Sequence, residues 1–159
     1  NKITLDASGN AAAGDQSTEN KTAEPSTLDE LFGGENLSVT YTGAEIAANY
    51  MEGGYYSLDA EQGKTFVIVG IDITNSGADE IAIDNFAKTP KFSVMVNGQE
   101  KAEEENTILP SDFALYQETV PAGVTENTIL LFQVPDSVTS VDSLDLFVNI
   151  SGTNYQITL

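Results

Sequence analysis

The sequence contains no histidine, no cysteine, no tryptophan and no arginine. The first two absences remove the imidazole base, the thiolate nucleophile and the usual ligands of a zinc site. A Ser-His-Asp triad cannot be assembled, and no disulfide framework exists. Without arginine there is no bidentate clamp for phosphate or carboxylate. The cations are six lysines, Lys2, Lys21, Lys64, Lys88, Lys91 and Lys101, set against 25 acidic residues for a net charge of −19. Such a surface repels nucleic acid and anionic membranes, which bind through Lys and Arg. Its ordinary role is solubility. No apolar run approaches the ~20 residues of a membrane span, and no secretory signal is visible, as expected of a mature secreted chain.

The chain has 159 residues, the size of one domain with an appendage. Residues 1–27 carry no aromatic side chain and are rich in Ala, Gly, Ser, Thr and Asn. They read as a polar leader that buries too little apolar surface to order itself. One piece stands out within it. Ile3, Thr4 and Leu5 alternate like a strand at 2–6 and echo Ile157-Thr158-Leu159 at the other end. Thr27-Leu28-Asp29-Glu30 then has capping-box spacing, predicting a short helix near 28–33 stopped by Gly33-Gly34.

Period-2 patterning takes over from Asn36. Lys64–Asn75 is the strongest strand, with Val67, Val69, Ile71 and Ile73 on one face and Phe66 and Ile68 on the other, so it belongs at a sheet centre. Further strands are expected at 37–41, 81–86, 92–96, 101–109, 113–120, 129–134, 144–150 and 155–159, with Asn97-Gly98 as a type I′ hairpin turn. Residues 44–57 are ambiguous, with Gly53-Gly54 marking a turn. The 101–109 limb, bearing Glu103-Glu104-Glu105, is expected at an edge or in a loop. The whole predicts an all-β, immunoglobulin-like antiparallel sandwich of about seven to nine strands over 28–159, with the extended leader before it.

Several motifs resemble those of a family. Gly63-Lys64 precedes the long strand, which ends in Thr74-Asn75. Pro121-Ala122-Gly123 precedes a strand that ends in Phe132-Gln133-Val134-Pro135. This resembles bacterial secreted and lipoprotein domains sharing the immunoglobulin-like fold of the mycobacterial immunoprotective extracellular protein. The likeness spans about 36–159. It implies an extracellular, cell-envelope protein of a Gram-positive bacterium, frequently lipid-tethered, and implies no reaction. The lipid-modified cysteine of such proteins has no counterpart here.

Acidic clusters at Asp79-Glu80 with Asp84, at Glu103–Glu105 and at Asp142 with Asp145 are candidates for acid–base work, but all read as solvated loops. No cofactor is expected; Asp136, Asp142 and Asp145 offer at most a weak Ca²⁺ site. Lys64 or Lys91 with Asn75 or Asn149 has the composition of a Lys–Asn isopeptide bond, although strand-end lysines usually reach for water. Tyr50, Tyr55 and Tyr56, around Met51 and between glycines, form either a contact loop or a cap on the sandwich end. The expected function is thus a non-enzymatic surface module binding a protein or glycan. The alternative is a structural subunit that self-assembles by strand exchange through Ile3, Thr4 and Leu5.

Overall fold

The computed structural model describes residues 23–159. The strands are β1 (Glu24–Ser26), β2 (Leu37–Ala47), β3 (Asn49–Glu52), β4 (Tyr56–Asp59), β5 (Lys64–Asn75), β6 (Ile81–Ala82), β7 (Lys91–Val96), β8 (Glu100–Glu103), β9 (Thr119–Val120), β10 (Thr125–Pro135), β11 (Leu144–Ile150) and β12 (Thr153–Ile157). One helix, α1 (Leu28–Phe32), lies between β1 and β2. A three-stranded sheet runs β10-β5-β2 and a five-stranded sheet runs β1-β12-β11-β7-β8. Seven of these strands reproduce the Greek-key order of an immunoglobulin sandwich, A-B-E opposite G-F-C-C′. The eighth, β1, pairs in parallel with β12. The expected immunoglobulin-like sandwich is therefore the fold. The total exceeds seven to nine because β3–β4 and β6–β9 are small hairpin-like pairs outside the two sheets.

Alternation builds the core. Val67, Val69, Ile71 and Ile73 of β5 face inward and are at most 1% exposed, with Leu130, Phe132 and Val134 of β10 beside them. Opposite stand Phe92, Val94 and Val96 of β7 and Leu146 and Val148 of β11. Phe32, Phe92 and Phe113 form an aromatic trio with centroids 4.9–5.9 Å apart, tying α1, β7 and the segment after β8 into one cluster. The capping box is present as expected. Glu30 N–H donates to Thr27 Oγ1 at 3.0 Å, and Thr27 N–H donates to Glu30 Oε1 at 3.1 Å. Leu28 and Phe32 are buried, whereas Leu31 is only partly so.

The two sheets join along one side. Glu103 still pairs with Ser93 of β7, but Glu104 bridges to Phe132 of β10 and Glu105 N–H donates to Leu131 O at 2.8 Å. The chain thus changes sheets at Glu104. The opposite side is left with two edges, β1 and β2. β1 lies at residues expected to belong to the leader. Ser26 O accepts from Thr158 N–H at 2.8 Å, so it faces β12. Backbone groups alternate along a strand, which turns Pro25 outward, where it offers no donor to a further strand. On β2, Val39 N–H donates to the Asp29 carboxylate at 2.6 Å, so α1 covers part of that edge.

Two expected strands are corrected. Ile81–Phe86 is a strand only at β6 and then coils into a 3₁₀ turn at Phe86–Lys88. Phe113–Val120 is a 3₁₀ turn at Phe113–Leu115 followed by β9. Asn85 organises both. Its Nδ2 donates to Phe113 O at 2.9 Å and its N–H to Tyr116 O at 2.9 Å. Phe113, Ala114 and Tyr116 are buried without strand periodicity.

Candidate functional site

The ambiguous stretch 44–57 resolves into the end of β2 and the β3–β4 hairpin. Gly53 and Gly54 both adopt positive φ, 62° and 75°, and Tyr55 N–H closes the turn on Glu52 O at 3.2 Å. This hairpin lies over the outer face of the three-stranded sheet. Tyr50, Leu58 and Ala60 pack on Phe66, Ile68, Leu109 and Leu131, a second small core. That cover explains why β5 is apolar on both faces over its first half. Glu61 N–H donates to Gln133 Oε1 at 2.7 Å and fastens the hairpin's exit.

The three tyrosines expected to act together are therefore separated. Tyr50 faces inward and donates to Glu52 Oε1 at 3.1 Å. Burial pushes its phenol above the usual value, the Ser111 hydroxyl opposes the rise, and the charge of Glu52 adds to it. Tyr56 flanks it and is half-exposed. Tyr55 stands at the tip, 92% exposed, and Met51 on the outer side is 62% exposed. The Ser111 hydroxyl also donates to Glu52 and ties the hairpin to the loop after β8. In that loop Leu109 is buried beneath the hairpin while its neighbour Ile108 is 86% exposed. Ile108 carried no sequence signal of its own. Ile3, Thr4 and Leu5 lie outside the described residues.

Glu103–Glu105 departs from the expected solvated loop. Glu104 is half-buried and hydrogen-bonds to Asp112, which is 2% exposed. Burial, then the charge of Asp112 and the hydrogen bond to it, raise the Glu104 carboxyl to about 9. It therefore keeps its proton at physiological pH. Asp112 also accepts from Thr107 Oγ1 at 2.7 Å and Ala114 N–H at 3.0 Å. This pair pins the sheet-switching loop. Asp112 is enclosed, while Glu104 stays partly exposed.

Of the other acidic clusters, Asp79, Glu80, Asp84, Asp142 and Asp145 are exposed, and Asp84 accepts from Ala87 N–H at 3.0 Å. Among the described residues no three acidic side chains converge to hold a metal ion. Lys64 is solvent-exposed and 3.8 Å from Glu61. Lys91 is exposed opposite Asn149, and Asn149 donates to Asn154 Oδ1 at 2.7 Å.

The motif residues meet in two places. At one end of the β5–β10 ladder, Asn75 Nδ2 donates to Asp79 O at 2.8 Å and Val120 O at 3.0 Å, and its Oδ1 accepts from Gly77 N–H at 2.8 Å. Its carbonyl accepts from Gly123 N–H at 2.8 Å. Asn75 thus locks the Pro121-Ala122-Gly123 turn. At the other end Lys64 pairs with Pro135, and Gly63 O accepts from Asp136 N–H at 3.0 Å. The shared motifs are structural clasps rather than a contact surface.

Fold and clasps together define a β-sandwich whose solvent-facing protrusion is a tyrosine-bearing hairpin. No family model and no curated protein matches the sequence. Among solved structures, the chain is similar to an uncharacterized β-sandwich protein from Clostridium difficile, at 18% identity over 86% of this chain and 97% of that one, with a TM-score of 0.49. It is also similar to a conserved hypothetical protein from Bacillus anthracis, at 11% identity over 77% and 88% of the chains, TM-score 0.42. A third similarity is to a "putative lipoprotein" from Bacillus subtilis, at 11% identity over 87% of this chain, TM-score 0.41, and the chain spans 39% of that protein. The expected β-sandwich stands on its strand topology; these similarities do not extend to the mycobacterial protein, whose likeness is an expectation from the motif residues. Among the described residues no helix is long and apolar enough to cross a membrane.

Proposed function

We propose that this protein is a non-enzymatic binding module of a Gram-positive cell envelope, and that the tip of the β3–β4 hairpin is its contact surface. The carrying observation is Tyr55, 92% exposed on a hairpin that is itself anchored over a small core. An aromatic ring held in water by a rigid scaffold is the chemistry of an interface anchor. The tip protrudes, so it suits a macromolecule better than a small ligand, which favours concave sites. The extracellular location is supported by the motif resemblance. The absence of a catalytic role is supported by the missing His, Cys and Arg and by the burial of Asp112. Neither cofactor nor Ca²⁺ is part of this reading.

The test is retention of the purified protein on isolated Gram-positive cell envelopes in a sedimentation assay. Tyr55→Ser with Met51→Ser should lower the retained affinity about tenfold with unchanged melting, as loss of a contact anchor does. Unchanged retention overturns the proposal.

A further inference from the structure

The exposed apolar groups around the hairpin are not scattered. Among the described residues, Met51, Tyr55, Tyr56 and Ile108 are four of seven exposed large apolar side chains. They sit on two segments, the hairpin and the loop after β8, which the hydrogen bond from Ser111 to Glu52 and the packing of Leu109 under Tyr50 and Leu58 hold side by side. The charge around them is mainly negative. Residues 45–61 hold Glu45, Glu52, Asp59 and Glu61, with Lys64 3.8 Å from Glu61, and the loop after β8 adds Glu103 and Glu105 beside the protonated Glu104 and the buried Asp112. Glu45 and Asp59 are exposed. Glu45 stands opposite Ile68 in register and therefore shares the outer sheet face with the hairpin.

We infer that Met51, Tyr55 and Ile108, within this predominantly acidic surround, form a docking surface for a cationic peptide segment of another protein that carries apolar anchors. This inference rests on the binding-module reading and names its partner class. The apolar groups supply the buried centre of the contact, and the carboxylates supply a rim that attracts lysine and arginine and repels polyanions. A second copy of this chain does not fit, because it would bring the same negative surround. An uncharged glycan uses the aromatic ring but not the charge.

The experiment is fluorescence anisotropy on the full chain with three labelled dodecapeptides, alternating Lys-Leu, Lys-Ser and Glu-Leu. The Lys-Leu peptide should bind about tenfold tighter than Lys-Ser, and Glu-Leu should not bind. Met51→Ser, Tyr55→Ser and Ile108→Ser in one chain should erase the tenfold margin while leaving the weak Lys-Ser binding intact. Glu45→Gln with Asp59→Asn should weaken both basic peptides several-fold at low salt and little at high salt. If the triple variant binds Lys-Leu as tightly as the parent, the attraction is diffuse and the inference is overturned. If envelope retention depends on Tyr55 but the peptides are not discriminated, the cationic partner falls while the binding-module reading survives. If neither depends on Tyr55, both fall.

Discussion

Asn75 offers the most direct test of how the fold is held. It is fully buried at the end of β5, and its side chain makes three hydrogen bonds. Truncation to alanine strands the buried Val120 carbonyl at a cost of about 2 kcal/mol. The Asp79 carbonyl and Gly77 N–H are partly accessible to water, so each adds roughly 0.5 kcal/mol. The expected loss for Asn75→Ala is about 3 kcal/mol, or roughly 10 °C in Tm for a domain of this size. Asn75→Asp keeps the shape but turns a carboxylate oxygen toward two carbonyl oxygens. At neutral pH it should be worse than alanine, and acidification should restore part of the stability by returning one donor. Urea unfolding can be followed by far-UV circular dichroism, or by tyrosine fluorescence undisturbed by tryptophan. A loss under about 1 kcal/mol for alanine, or an aspartate variant as stable as the parent at pH 7, would refute the clasp.

The Glu104 carboxyl is raised from 4.5 to about 9 in the folded chain. Between those values the unfolded chain has released a proton that the folded chain keeps, so stability falls as pH rises through that window and levels off above it. Glu104→Gln should flatten this decline in urea titrations, and an unchanged pH profile would remove Glu104 as its source. A Cβ at Gly33 would lie 2.8 Å from Asp29 O and 2.9 Å from Leu37 O, both backbone, so Gly33→Ala should displace α1 and lower Tm by several degrees. Thr27→Ala breaks the capping box and should cost about 1 kcal/mol in the same measurement; a neutral effect would deny the cap its role. Ser111→Ala cuts the tie to Glu52 and should raise amide exchange in β3 and β4 while leaving β5 and β10 protected.

Long alternating runs made the sandwich readable. β5, β10, β7, β11 and β12 each keep one face apolar, and Asn97-Gly98 takes the positive φ values, 55° and 69°, that its turn requires. β1 was hidden because Glu-Pro-Ser has no pattern; its pairing depends on β12 alone. The 113–120 segment is buried by aromatic contacts and by Asn85, neither of which has a period. Glu104 sat in an apparently soluble run of three glutamates. One signal did point to it. Ala102 pairs with inward-facing Val94, so two residues further on Glu104 continues toward the interior. For the contact surface, the tyrosine-glycine cluster located the hairpin. Only the tertiary tie through Ser111 brought Ile108 beside it.

β1 also has a mechanical meaning. It runs parallel to β12, with Glu24, Pro25 and Ser26 beside Tyr155, Gln156 and Ile157. A pull between residues 23 and 159 draws these two strands past one another lengthwise, so all three residue pairs share the load at once. An antiparallel hairpin pulled at its open ends would yield pair by pair at low force. Single-molecule extension across these points should show a distinct rupture peak before the sandwich unravels, and a smooth low-force release would contradict it. β1 is only three residues long, but as the element loaded in shear it sets the force at which the domain begins to give way.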